Sequence, residues 1–167
     1  MAQQQDMPIR VSIIMGSESD TETVRESAAV LQEFGVGYEA RVLSAHRTPK
    51  ELVAYVEALP ERGVRVVIAA AGMSAALAGA VAAHTTLPVI GIPMETKNLQ
   101  GMDSLLSTVQ MPKGIPVACM ALGKAGARNA GIFACQILAL QDEALAQKLV
   151  QLKKTMAQAI ANMTLIL

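Results

Sequence analysis

Apolar residues follow two rhythms along this chain. Short runs rich in valine, isoleucine and alanine alternate with segments whose apolar positions return every three or four residues. The runs IRVSIIM (9–15), GYEARVL (37–43), VRVVIAAAG (64–72), LPVIGIP (87–93) and IPVACMAL (115–122) are predicted strands. Apolar character that barely alternates marks strands buried on both faces. Between the strands, Val24, Ala28 and Leu31 share one helical face that stops at Gly35, and Leu52, Val53, Val56 and Leu59 form a second stripe. Ser19 with Glu22, and Thr48 with Glu51, have capping-box spacing, and Pro49 takes a first helical position. Small side chains over 74–84 predict a third helix, and a loop with a short helix fills 94–114. Two further helices are predicted at about 125–140 and 142–162.

Strands alternating with helices predict a parallel sheet covered on both faces. Right-handed crossovers make this a flavodoxin-like, doubly wound three-layer α/β sandwich of about five strands, with an extra C-terminal helix. A length of 167 residues fits one domain over 1–167. No strand follows the last helix, which leaves it free to reach over a neighbouring subunit. The small-residue face of Ala127, Ala130, Gly131 and Ala134 permits close helix contact, within the core or between subunits.

Composition narrows the function. Fourteen basic residues balance fourteen acidic ones without forming a basic stripe, and aromatics are 2% with no Trp. Neither a phosphate-backbone footprint nor a base-stacking platform is present, so nucleic acid is not expected as a partner. Val66 to Met94 carries no Asp, Glu, Lys or Arg, yet Gly72, Gly79, Pro88, Gly91 and Pro93 interrupt it. It reads as strand, turn, helix and strand rather than a membrane span. Cys119 and Cys135 fit neither a CxxC motif nor a zinc ligand set and read as small buried hydrophobes of a cytoplasmic protein. MAQQQDMPIR lacks the apolar stretch of a signal peptide.

Candidate chemistry gathers at one edge. In open α/β sheets ligands bind outside the carboxyl ends of the strands. Gly16-Ser17-Glu18-Ser19-Asp20 follows the first strand, Ser44-Ala45-His46-Arg47 the second, and Ala71-Gly72-Met73-Ser74 the third. Gly16 permits a tight turn, and Ser17 with the following helix start presents donors to a phosphate. Arg47 adds a permanently charged partner for the same anion. Asp20 suits sugar hydroxyls, Gly72 lets a planar ring approach, and His46 is placed for proton transfer. Blander roles fit the same residues: Ser19 and Asp20 as helix caps, Arg47 as a solvated charge, Gly72 as a turn and His46 as a structural histidine. His84, ahead of TTLP, reads as structural at a helix end. No P-loop precedes Gly123-Lys124, and GxGxxG, HExxH and GxSxG are all missing, so no dinucleotide or metal site is expected.

In order, MGSESD, SAHRTP, DSLLSTVQMPKGIPV and GKAGARNAG resemble the signature blocks of the 5-(carboxyamino)imidazole ribonucleotide mutases of purine biosynthesis. The likeness runs from about residue 9 to 150. It implies transfer of a carboxylate from the exocyclic amine of a ribonucleotide to ring carbon four, with neither metal nor organic cofactor. On the matching positions, His46 is the general acid–base. Ser17, Asp20 and Arg47, with Ser19 beside them, bind the ribose phosphate part. Ser44, Leu77 and the backbone around Ala71, Gly72 and Met73 line the base and carboxylate region. The resemblance further implies a homo-octamer with sites at subunit boundaries. Where many mutases read GGAAHLPG, this chain reads GMSAALAG (72–79). A sister subclass carboxylates aminoimidazole ribonucleotide directly with carbon dioxide and typically reads SAHKT. Arg47 and Pro49 favour the mutase, and Ser74 leans the other way. A regulatory module that keeps the phosphate site without chemistry is a further alternative.

Overall fold

The computed structural model describes residues 7–164. Among them, strands β1 (Ile9–Met15), β2 (Gly37–Val42), β3 (Val66–Ala71), β4 (Val89–Pro93) and β5 (Ala118–Cys119) form one sheet in the order β2-β1-β3-β4-β5. Every pairing is parallel. The helices are α1 (Thr21–Phe34), α2 (Pro49–Glu57), α3 (Leu77–Ala83), α4 (Met102–Val109), α5 (Gly123–Ala139) and α6 (Glu143–Ala161). The chain winds outward from β1 to β2, then crosses back to β3, so the switch in strand order lies between β1 and β3.

Burial on both faces explains the apolar runs of β1, β3 and β4, whereas the edge strands β2 and β5 are partly exposed. Successive strand side chains point to opposite faces, and the sheet feeds a separate core on each side. Ile13, Ile68, Ala70 and Ile90 pack with α1 and α5, while Ile14, Val67, Ala69 and Val89 pack with α2 and α3. Ser12 is a fully buried polar residue within this pattern. Its hydroxyl lies 2.8 Å from the Tyr55 hydroxyl, which donates to Glu39 Oε1 at 2.8 Å. Tyr55 has one proton to give, so Ser12 must be the donor to it. Arg62 closes the chain with a 2.6 Å bond to Glu39, which ties α2 to the edge strand β2.

The small-residue face of α5 is used inside the chain. Ala127, Ala130 and Ala134 are fully buried against the α1 side of the core. Ser27 of α1 donates to the Ala127 carbonyl at 2.5 Å. A Cβ on Gly131 would stand 2.9 Å from both the Ser27 carbonyl oxygen and Val30 Cβ. A Cβ on Gly126 would collide with the Ala121 carbonyl. Gly131 lets α5 lie on α1 at close range, and Gly126 makes room for the segment that leads into α5.

Several sequence expectations need correction. Ser19 and Glu22 form no capping box. Ser17 caps a 3-10 turn over Glu18–Asp20, and Asp20, the N-cap of α1, makes no side-chain cap bond. Thr48 does precede α2, but its hydroxyl bonds the Ser44 amide and carbonyl rather than the helix. The predicted third helix starts late, at Leu77, because Met73 turns the chain at φ 58° and Ala76 N bonds Ser74 O. Strand β5 shrinks from the expected 115–122 to Ala118–Cys119. It is an edge strand beside Pro116, which has no N–H to pair. Gly35, by contrast, ends α1 in the left-handed conformation at φ 72° as expected. The last helix leaves the core: Leu145 is buried, but every residue from 153 to 164 is exposed.

Gly131→Val will destabilise the fold by about 1–3 kcal/mol through overpacking. A urea midpoint equal to that of the parent would show that α1 and α5 do not pack this closely.

Candidate active site

Four consecutive strands of the sheet, β2, β1, β3 and β4, deliver loops to one cleft of about 820 Å³. The loop after β1 is held by Gly16 N, which donates to Ala70 O of β3 at 3.1 Å. A Cβ on Gly16 would come no nearer than 3.9 Å to its neighbours, so packing does not require glycine there. Ser17 Oγ accepts from Ser19 N at 3.3 Å and from Ser19 Oγ at 2.9 Å, which turns the loop over itself. Asp20 N bonds the Ser17 carbonyl at 3.2 Å. Burial pushes the Asp20 carboxyl above its ordinary value of 3.8, against the pull of Ser19, the Ser17 backbone and the Arg47 charge.

The loop after β2 is cross-braced. Ser44 N donates to Thr48 Oγ1 at 2.9 Å, and the hydroxyl returns a bond to Ser44 O at 3.2 Å. Arg47 is not a free surface charge. Its Nη2 donates to Gly16 O at 2.6 Å, and its Nε approaches Ser44 Oγ at 3.4 Å. The guanidinium therefore joins the β1 and β2 loops and keeps further N–H groups for an anion. His46 stands exposed at the tip of this loop and lines the cleft. No hydrogen bond engages its ring among the described residues, so both nitrogens are open to a bound molecule. His84 lies elsewhere, at the C-cap of α3 and 3.6 Å from Glu57 Oε1.

The third loop brings Ala71, Gly72, Met73, Ser74, Ala76 and Leu77 to the cleft. Gly72 is small for a packing reason: a Cβ there would stand 3.3 Å from Met94 Cβ and 3.6 Å from Thr96 Cγ2. Every sequence-predicted site residue, from Ser17, Ser19 and Asp20 through Ser44, His46 and Arg47 to Ala71, Gly72, Met73 and Leu77, lines this one cleft. The sequence reading missed the fourth loop, which adds Glu95, Thr96, Lys97 and Asn98, with Asp103 behind them. Thr96 Oγ1 donates to Asp103 Oδ1 at 2.8 Å and accepts from Gly101 N at 3.1 Å, which clamps that loop. The polar METKN directly after a strand was the available signal. Among the described residues, no group of three or more His, Cys, Asp or Glu gathers as metal ligands. None of the described helices is long and apolar enough to cross a membrane.

Residues 10–159 match the family model described as AIR carboxylase. The chain belongs to the AIR carboxylase family. Its similarity to curated members of that family is extensive. It is 54% identical over 150 residues to the N5-carboxyaminoimidazole ribonucleotide mutase of Bacillus subtilis, covering 90% of this chain and 93% of that one. It is 48% identical to the mutase of the same name from Saccharolobus solfataricus, covering 92% and 96%. The fold resembles the crystal structure of Treponema denticola PurE with a TM-score of 0.81 at 32% identity, over 90% of this chain and 93% of that one. A second structure from that organism, of a singly substituted PurE2, gives 0.84 at 29% identity, over 93% and 95%.

Asp20 yields a prediction. Its folded-state pKa lies above the unfolded value, so the folded protein holds this proton more tightly. Stability therefore falls as pH rises through the window that opens near 3.8. Asp20→Asn removes that loss. Its denaturation midpoint will gain on the parent as pH rises from 3.8 through the raised folded-state value. A constant gap between the two proteins across that range would contradict the burial of this carboxyl.

Proposed function

We propose that the protein is an N5-carboxyaminoimidazole ribonucleotide mutase of de novo purine biosynthesis, acting on the route to IMP. It moves a carboxylate from the exocyclic nitrogen to ring carbon four, giving 4-carboxy-5-aminoimidazole ribonucleotide. The observation that carries this reading is the meeting of an unengaged His46 with the Ser17–Asp20–Arg47 cluster in one cleft. Phosphate binding alone needs the arginine and amides. A free imidazole at the same place supplies a group able to give and take a proton.

The residues divide the work by chemistry. Arg47, Ser17 and Ser19 hold the phosphate through charge-assisted bonds, and Asp20 accepts from the sugar hydroxyls. Ser44, Leu77 and the backbone of Ala71, Gly72 and Met73 hold the ring. His46, as imidazolium, protonates the nitrogen as its bond to the carboxylate carbon breaks and carbon dioxide leaves. Ring carbon four then donates an electron pair to the carbon dioxide, and its proton passes to His46. The imidazole ends as it began, and the reaction is redox-neutral. Confinement makes recapture efficient, because a neighbour held in place acts at a high effective concentration. The chemistry calls for neither metal nor organic cofactor.

We also propose that the protein works as a homo-octamer in the cytoplasm. Leu99, Met102, Leu106 and Val109 recur at helical spacing and are all about half exposed. Met156, Ile160 and Met163 are also exposed apolar residues, along the outer part of α6 and beyond. Apolar exposure of this kind marks surfaces that associate. The free Cys119 and Cys135 suit a reducing compartment.

His46→Asn will lower turnover by about 100- to 10,000-fold while ribonucleotide binding persists. Unchanged turnover would remove His46 from the chemistry. Purified protein offered each substrate alone decides the reaction. Fast use of aminoimidazole ribonucleotide plus carbon dioxide, with none of the carboxyamino compound, would identify a direct carboxylase, as Ser74 hints. Binding with no turnover of either would identify a regulatory module. Light scattering will report an octamer, and a stable monomer would contradict shared surfaces.

A further inference from the structure

Met73 occupies the left-handed region at φ 58°, a conformation that favours glycine. Gly72 stands immediately before it and has no such φ. Strain of this kind persists only where the surroundings impose it, and it collects at ligand clamps. Here the surroundings do impose it. Met94 N donates to Ala71 O at 3.0 Å on one side, and Ala76 N to Ser74 O at 2.8 Å on the other. The side chain recovers little of the cost, because it is 67% exposed and lines the cleft without packing into the core. Leu77, below the same loop, is buried at 2% exposure and gives the cleft an apolar wall at this end.

We infer that the Met73 side chain caps the reacting end of the bound ribonucleotide and retains the carbon dioxide released there, so that it sets how much is recaptured. This rests on the mutase reading above. Carbon dioxide has no charge and is a poor hydrogen-bond partner, so the polar groups of the cleft do little to hold it. An unbranched thioether with three rotatable bonds fits over a ligand of irregular shape. Closing it on the ring excludes water and buries the methionine. The step it governs is a branch. Recapture forms the carbon–carbon bond at ring carbon four, with the proton leaving to His46. Escape lets water add to carbon dioxide to give bicarbonate, and leaves the free amine of the ribonucleotide behind. No electrons are gained or lost on either branch.

The test uses carboxyamino substrate labelled with carbon-13 in its carboxylate, turned over in unlabelled bicarbonate. The parent protein will carry its label into the product. Met73→Gly, which relieves the backbone strain, will raise both label loss and free amine several-fold after subtraction of enzyme-free decay. Its denaturation midpoint will match or exceed that of the parent. Met73→Leu, which restores apolar bulk, will return retention toward the parent level. Equal retention in Met73→Gly and parent overturns the cap, as does Met73→Leu leaking as much as Met73→Gly. A parent that makes no product from the labelled substrate, and instead carboxylates the free amine from solution, overturns the mutase reading and the cap with it. That outcome is seen before any variant is made.

Discussion

The cleft exists because four neighbouring strands run the same way. Parallel pairing places every carboxyl end at one edge, and the reversal of strand order between β1 and β3 separates two loops that would otherwise close over that edge. The site is built from the loops that leave those strands and from the starts of the helices that follow, with Leu77 of α3 and Asp103 of α4. Arg47 fastens the arrangement: its bond to the Gly16 carbonyl joins loops that are 31 residues apart in sequence. A guanidinium placed this way has a structural bond and a binding surface at once. Lysine, with a compact ammonium and no planar fork, cannot do both in the same geometry.

The supports of that edge lie away from it. Ser12, Tyr55, Glu39 and Arg62 form a satisfied polar chain that holds α2 against β1 and β2. The loop carrying His46 and Arg47 runs directly into α2, so this chain steadies the approach of both residues. Burial and the neighbouring Glu39 raise the Tyr55 phenol further above its ordinary value of 10.0, so it stays a neutral donor under ordinary conditions. On the opposite face, Gly131 and the buried alanines of α5 let α1 pack closely. That fixes the helix that follows directly on Asp20, its N-cap.

The site couples rigid and yielding parts. The first two loops are cross-braced by serine, threonine and arginine bonds, while the imidazole of His46 and the chain of Met73 are left exposed. A bound anion needs fixed donors, because orientation is what they supply. In the proposed reaction, a transferred proton and a released gas need groups that can follow them. The loop where this chain departs from GGAAHLPG is also the one with a strained methionine. Substitution and strain fall on the same few residues.

Strand and helix order, the doubly wound sheet and the edge that carries the cleft were legible in the sequence. Periodicity is a local property, and burial on both faces writes it into the runs of β1, β3 and β4. Gly35 as a stop and Pro49 as a helix start were legible for the same reason, since each acts on its own backbone. Caps were not. Ser17 in place of Ser19, and Thr48 turned toward Ser44, depend on which acceptor lies nearest, and several hydroxyls competed for it. The length of β5 depended on its being the edge strand. The same holds for Lys97 and its neighbours, which became part of the cleft through the placement of β4 beside β3. Residue type and spacing determined which groups were available for chemistry. Which of them touch, and which stand free, was decided only by the meeting of loops far apart in sequence, because contact at that range is set by packing.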